Sequence, residues 1–146
     1  MARRSDKYGD YIMTTMISHI GIAVENLKDA VAKFTTILGQ PPDAYEDVAD
    51  QTVKTAIFPA GESRVELLVG TSPDSPISKY IAKRGPGIHH IALEVDDIHG
   101  ELARLKGAGM ELIDETPRRG AGGALIAFIH PRSTAGILIE LQQRKK

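Results

Sequence analysis

The chain has 146 residues, 42% hydrophobic and 25% charged, with a formal net charge of −1 and no cysteine. That length suits one compact domain or two small units sharing a core, and the near-neutral balance gives no electrostatic case for a nucleic-acid or membrane-surface partner. Disulfides and thiolate metal sites are excluded, and the cysteine usage is that of a protein of the reducing cytoplasm, which is the expected location.

Residues 1–16 read as an N-terminal extension: Arg3 and Arg4 have no apolar stretch behind them, so the start is not a secretory signal. No apolar run nears the roughly 20 residues that span a bilayer. From Ile17 to Val24 apolar residues alternate as in a strand, and Asn26 can cap the helix that Leu27, Ala30, Val31, Phe34 and Leu38 mark by their spacing. Gly39 and Pro41-Pro42 stop it. A further strand falls around Ala44-Tyr45. Glu46–Gln51 reads as a polar loop, Val53–Phe58 as a strand, Pro59–Ser63 as a turn and Arg64–Val69 as the next strand. Asp74-Ser75-Pro76 starts a linker helix over about 75–84, with Pro at the first helical position. Ile88–Val95 is again a strand, Asp96-Asp97 a cap, and Ile98, Leu102 and Leu105 mark a helix ended by Gly107 and Gly109. Met110–Ile113 is a short strand, Arg118–Gly123 a glycine-rich loop, and Leu125–Ile129 and Gly136–Leu141 are closing strands.

The two halves repeat each other. His19 and His90 sit in nearly the same local sequence, 71 positions apart (90 − 19), each leading into a helix. Each is followed by a glutamate in a later apolar strand: Glu66 after 47 positions (66 − 19), Glu140 after 50 (140 − 90). Two copies of one unit therefore build the fold, with modules at about 17–70 and 88–142. Side chains alternate faces along a strand. His19 then lies opposite Ile20, Ile22 and Val24, and His90 opposite Ile91, Leu93 and Val95. Glu66 lies opposite Val65, Leu67 and Val69, and Glu140 opposite Ile137, Ile139 and Leu141. Repeat and parity both select His90 rather than His89, which falls on the apolar face as a packed histidine. Singly, each of the four fits an ordinary polar residue of a solvated sheet face. Four at equivalent places argue for one site, and two imidazoles with two carboxylates suit a divalent metal.

Other features carry less. The glycine-rich loop lacks the Lys-Ser/Thr of a P-loop and opens no helix, so it reads as a turn between strands. His99 is solvated on its helix, and His130, before Pro131, lines a pocket or closes a turn. No serine stands in a nucleophile-elbow setting, and there is no cysteine, which speaks against covalent catalysis by either.

The strings Ser18–Val24, Asp74-Ser75-Pro76-Ile77, Gly87–Ala92, Gly120-Ala121-Gly122-Gly123, His130-Pro131 and Gly136–Leu141 resemble the methylmalonyl-CoA epimerase family of the vicinal oxygen chelate (glyoxalase/bleomycin resistance) superfamily. The resemblance spans roughly residues 17–142. It implies an α+β fold in a single domain, 17–146, whose two tandem βαβββ modules form an open U-shaped eight-stranded sheet around a metal site. It also implies a homodimer, an acyl-CoA substrate, and a divalent cation: cobalt by resemblance, with manganese, nickel, zinc and magnesium as alternatives. The family's metal ligands map onto His19, Glu66, His90 and Glu140. The activity implied is metal-dependent epimerisation of (R)- and (S)-methylmalonyl-CoA by a 1,1-proton transfer, with Glu140 as the first acid–base residue and Asp50 as the second. The chain departs from the family pattern at Thr52, where Gly is usual, at Thr55, where some members carry a catalytic glutamate, and at Ala124-Leu125, where a basic residue follows the loop. The alternatives are a glyoxalase-like isomerase, an Fe(II) ring-cleaving dioxygenase, which a fourth protein ligand at Glu66 disfavours, and a metal-free small-molecule-binding protein.

Overall fold

The computed structural model describes residues 16–48 and 51–145. Most of the N-terminal extension and the acid–base candidate Asp50 lie outside them. The elements run β1 (Met16–Ala23), α1 (Leu27–Leu38), β2 (Ala44–Val48), β3 (Val53–Ala60), β4 (Ser63–Gly70), α2 (Pro76–Arg84), β5 (Gly87–Glu94), α3 (Ile98–Gly107), β6 (Arg118–Arg119), β7 (Leu125–Ile129) and β8 (Ile139–Gln143). The eight strands belong to one mixed sheet in the order β2-β3-β4-β1-β5-β8-β7-β6, which is an α+β architecture. Two compact units divide the chain, one spanning His19–Ile91 and the other containing Ala92 onward together with the start of β1. Among the described residues no helix is long and apolar enough to cross a membrane.

In the His19–Ile91 unit, α1 begins where the Asn26 side chain accepts from the Asp29 N–H at 3.0 Å. It ends at Gly39, whose left-handed φ of 75° lets its N–H reach the Thr35 carbonyl. The spacing read from sequence is its buried face: Leu27, Ala30, Val31, Phe34 and Leu38 pack on Val24, Ala56, Phe58 and Leu67. β1 and β4 pair in parallel, and β3 runs antiparallel between β4 and β2. β2 takes in Glu46 and Asp47, which sequence polarity places in a loop. It is an edge strand, so one ladder to β3 suffices and its polar side chains stay wet.

The linker helix α2 is pinned at its start. Fully buried Ser75 accepts from the Ile77 N–H at 3.2 Å, with Pro76 in the first turn. Ser78 Oγ donates to the Ser72 carbonyl at 2.7 Å. Gly70 leaves the room for this: a Cβ there would stand 2.1 Å from Ser78 Oγ and 2.8 Å from Ser75 Cβ. Ile77 is buried against Ala23, Val53 and Leu68.

In the other unit α3 starts at Asp97, whose carboxylate accepts from the Gly100 N–H at 3.1 Å. It lays Ile98 and Leu102 on Val95, Ala127, Ile129 and Leu141. Met110–Ile113 is not a strand; it keeps only an isolated bridge, Leu112 to Ile129. The ladder stops because the Asp114 carboxylate takes the Phe128 N–H at 2.9 Å, in place of a backbone carbonyl. The outer partner of β7 is instead β6, the first residues of the glycine-rich loop. β8 begins at Ile139 rather than Gly136, because turn bonds at Thr134–Ile137 and the φ of 91° at Gly136 hold the preceding residues out of the ladder.

The repeat is visible in the backbone. Val24 N–H donates to the Leu68 carbonyl and Val95 N–H to the Gln142 carbonyl, each at 2.9 Å. The offsets are 71 (95 − 24) and 74 (142 − 68), and Glu66 and Glu140 are likewise 74 apart (140 − 66).

Candidate metal centre

Register decides which side chains share a face. The β1–β4 pairing sets His19 beside Arg64 and Gly21 beside Glu66. Ile57 stands opposite Glu66, Thr55 opposite Leu68, and Glu46 opposite Thr55. Partners directly opposite project to the same side. One face therefore carries Glu46, Thr55, Arg64, Glu66, His19 and Gly21, while Ile22, Val65, Leu67 and Val69 turn to α1. On β8 Glu140 stands opposite Phe128, whereas Ile139 and Leu141 join the cluster under α3. The alternation read from sequence is thus the alternation of the fold.

His19, His90 and Glu140 are buried, at 5%, 7% and 6% exposure. His19 Nε2 and His90 Nε2 are 3.0 Å apart, with the rings edge-on at 88°. Burial pushes the His19 pKa down to about 4, assisted by the Arg64 charge. Burial takes His90 to about 3, with His19 and His89 adding to the effect. Both rings are therefore neutral at pH 7, the form that ligates metals. Two nitrogens each about 2.1 Å from one cation at a right angle stand about 3.0 Å apart. The donor set fits a borderline divalent ion.

Glu66 lies beside this group. Its Oε2 is 3.4 Å from His19 Nδ1 and 3.2 Å from Arg64 Nε, and Arg64 Nη2 is 3.4 Å from His19 Nδ1. Burial raises the Glu66 pKa, opposed by Arg64 and reinforced by Glu46. His89, read from sequence as a packed histidine, packs its ring edge-on against Tyr80, and its Nδ1 is 3.0 Å from His90 Nδ1. His130 closes a turn, accepting the Arg132 N–H at 3.0 Å, with the Glu111 carboxylate 3.4 Å from its Nδ1. His99 is exposed on α3. In the glycine-rich loop Arg119 Nη1 donates to the Gly123 carbonyl at 2.8 Å.

Three participants escaped the sequence reading. Gly21 makes the space for the His90 ring: a Cβ there would meet His90 Cε1 at 2.3 Å and Nε2 at 2.8 Å. Its parity with His19 was the available signal. Arg64 sits two residues before Glu66 on the same face. Glu46 is a carboxylate on that face by way of an edge strand that polarity disguises.

The family model of the Glyoxalase/Bleomycin resistance protein/Dioxygenase superfamily matches residues 18–128. The chain is similar to an uncharacterized protein of Bacillus subtilis, 41% identical over 88% of this chain and 92% of that one. It is 35% identical to the ethylmalonyl-CoA/methylmalonyl-CoA epimerase of Cereibacter sphaeroides, over 90% and 99% of the two chains. Among solved structures, the methylmalonyl-CoA epimerase of Mycobacterium tuberculosis matches with a TM-score of 0.86 at 32% identity, covering 100% of this chain and 94% of that chain. A methylmalonyl-CoA epimerase in complex with methylmalonyl-CoA and ammonium matches with a TM-score of 0.83 at 33% identity, covering 90% and 96%.

Proposed function

The chain belongs to the glyoxalase/bleomycin resistance protein/dioxygenase superfamily and, within it, to the methylmalonyl-CoA epimerases, and we propose that it interconverts (R)- and (S)-methylmalonyl-CoA. The observation that carries this reading is the buried pair His19 and His90, their Nε2 atoms 3.0 Å apart, in a chain whose relatives act on that thioester. His19, His90 and Glu140 would hold a divalent cation, cobalt by family resemblance, and Glu66 is proposed as a fourth ligand. Such a cation supplies Lewis acidity toward the oxygens of the substrate.

The protein's own groups do the proton work. The α-carbon lies between a thioester and a carboxylate, so its C–H bond breaks to leave an enolate. The Glu140 carboxylate takes that proton on one face. A second acid returns a proton to the other face, and the new C–H bond inverts the centre. Asp50 is proposed for that role; Glu46 is the carboxylate that register puts on the site's face. Burial, assisted by the Arg64 charge, keeps His19 unprotonated, and Arg64 offsets the negative charge at Glu66. The assembly is proposed to be a homodimer, checked by light scattering at micromolar concentration, where a monomeric mass refutes it.

Incubation of metal-loaded protein with (S)-methylmalonyl-CoA in deuterated water tests the function. The expected result is deuterium at the α-carbon together with growth of the R epimer. Recovery of unlabelled, unchanged substrate overturns it.

A further inference from the structure

We propose that His89 is a positioning residue for the ligand His90, accepting a hydrogen bond that leaves His90 Nε2 with its lone pair free for a metal. The inference rests on the metal-site reading above and extends it to a residue outside the ligand set.

The two Nδ1 atoms are 3.0 Å apart, and the rings stand at 89° to each other. A neutral imidazole carries one N–H and one acceptor nitrogen. Two facing ring nitrogens at hydrogen-bond distance share one proton. If His89 donates it, the His90 proton is on Nε2, and that nitrogen cannot bind a metal. If His90 donates from Nδ1, Nε2 carries no proton and keeps its lone pair, and it is this nitrogen that faces His19 Nε2 at 3.0 Å. Ligation therefore requires His89 Nδ1 to be the acceptor and places the His89 proton on its own Nε2.

The acceptor is held from α2. The His89 ring packs edge-on to Tyr80, centroids 5.0 Å apart at 73°. The Tyr80 hydroxyl donates to the Ile88 carbonyl at 2.7 Å, and the Arg84 guanidinium carbon lies 5.7 Å from the Tyr80 ring centroid. His19 differs. Its Nδ1 stands 3.4 Å from both the Glu66 carboxylate and Arg64 Nη2. The two imidazoles thus have unequal surroundings, one beside the Arg64–Glu66 ion pair and one beside a neutral ring.

The test compares metal-free wild type, His89→Phe and His89→Asn by competition for Zn²⁺ against a chromophoric chelator. Phe keeps an aromatic ring against Tyr80 and removes the acceptor; Asn places an amide oxygen near the Nδ1 position. His89→Phe is expected to weaken Zn²⁺ binding about 10–100-fold, and His89→Asn to recover most of that loss. Nitrogen-15 spectra of zinc-loaded wild type should show His90 protonated at Nδ1 and His89 unprotonated at Nδ1, a signature that packing alone would not produce. Unchanged affinity in His89→Phe, an Asn variant as weak as the Phe variant, or a proton on His89 Nδ1 overturns the proposal and leaves the metal site standing. Wild type that binds no divalent cation overturns the metal site itself, and the inference with it. If His89→Phe does not fold, the Asn variant and the wild-type spectra decide.

Discussion

Gly21→Ala would displace His90, a proposed metal ligand, without replacing any side chain proposed to bind metal. The added methyl would lie 2.3 Å from His90 Cε1 and 2.6 Å from its Nδ1. Carbon atoms in contact sit about 3.5–4.0 Å apart, so the ring must retreat by about 1.2 Å or more, over half a metal–nitrogen bond of about 2.1 Å. Overpacking of this kind destabilises by about 1–3 kcal/mol, because the imidazole can turn aside rather than force the backbone apart. The expected protein is folded, modestly less stable, and impaired in metal binding by more than the roughly 10–100-fold seen for lost supporting residues. Thermal unfolding of the metal-free form and cobalt content after equilibrium dialysis measure the two effects. Gly87→Ala is the control, since a Cβ there meets nothing within 4 Å. A Gly21→Ala protein that binds cobalt with wild-type affinity would refute the placement of His90.

Metal content in His19→Ala and His90→Ala proteins should fall sharply by elemental analysis; undiminished content in both would remove the ligand assignment. Glu140→Gln should retain most metal and lose epimerisation by roughly 10²–10⁴-fold, while still washing deuterium into a single epimer; near-normal turnover in the metal-loaded variant would exclude Glu140 as a base. Asp50→Asn should show the mirror pattern, and if Glu46→Gln shows it instead, the second acid–base group is Glu46. Metal-free protein should lose stability as pH falls from about 6.5 toward 4. His19 and His90 are depressed to about 4 and about 3 from 6.5, so the unfolded chain takes up protons that the folded one refuses. Each pH unit in that window then costs roughly 1.4 kcal/mol per histidine. Urea midpoints at pH 7.5 and 5.5 should separate less in His90→Gln, and an unaltered separation would count against a neutral buried pair.

Parity carried most of what was legible. Strand alternation set His19, Glu66, His90 and Glu140 against the apolar positions, and helical spacing in Leu27–Leu38 marked the face that α1 buries. Ser75-Pro76 announced α2 because capping is local chemistry. What stayed hidden depends on register, which no single segment encodes. Glu46 joins the site's face only through its pairing with Thr55. Met110–Ile113 has strand-like residues, but Asp114, a neighbour outside the run, intercepts the Phe128 N–H. His89 obeys the alternation in sequence, yet its Nδ1 still meets that of His90. Glu66 has the right parity, and its carboxylate turns toward Arg64, a partner two residues away that alternation does not rank.

The joint between the repeats is a strut of set length. Surface connections usually accept insertions, but this one is locked where Gly70 admits Ser75 and Ser78, and it delivers Tyr80 to His89 less than two turns into α2. A residue added after Gly70 would rotate Tyr80 away while leaving every strand and every ligand unchanged in sequence. The length of that spacer, as much as its composition, sets where Tyr80 stands against His89.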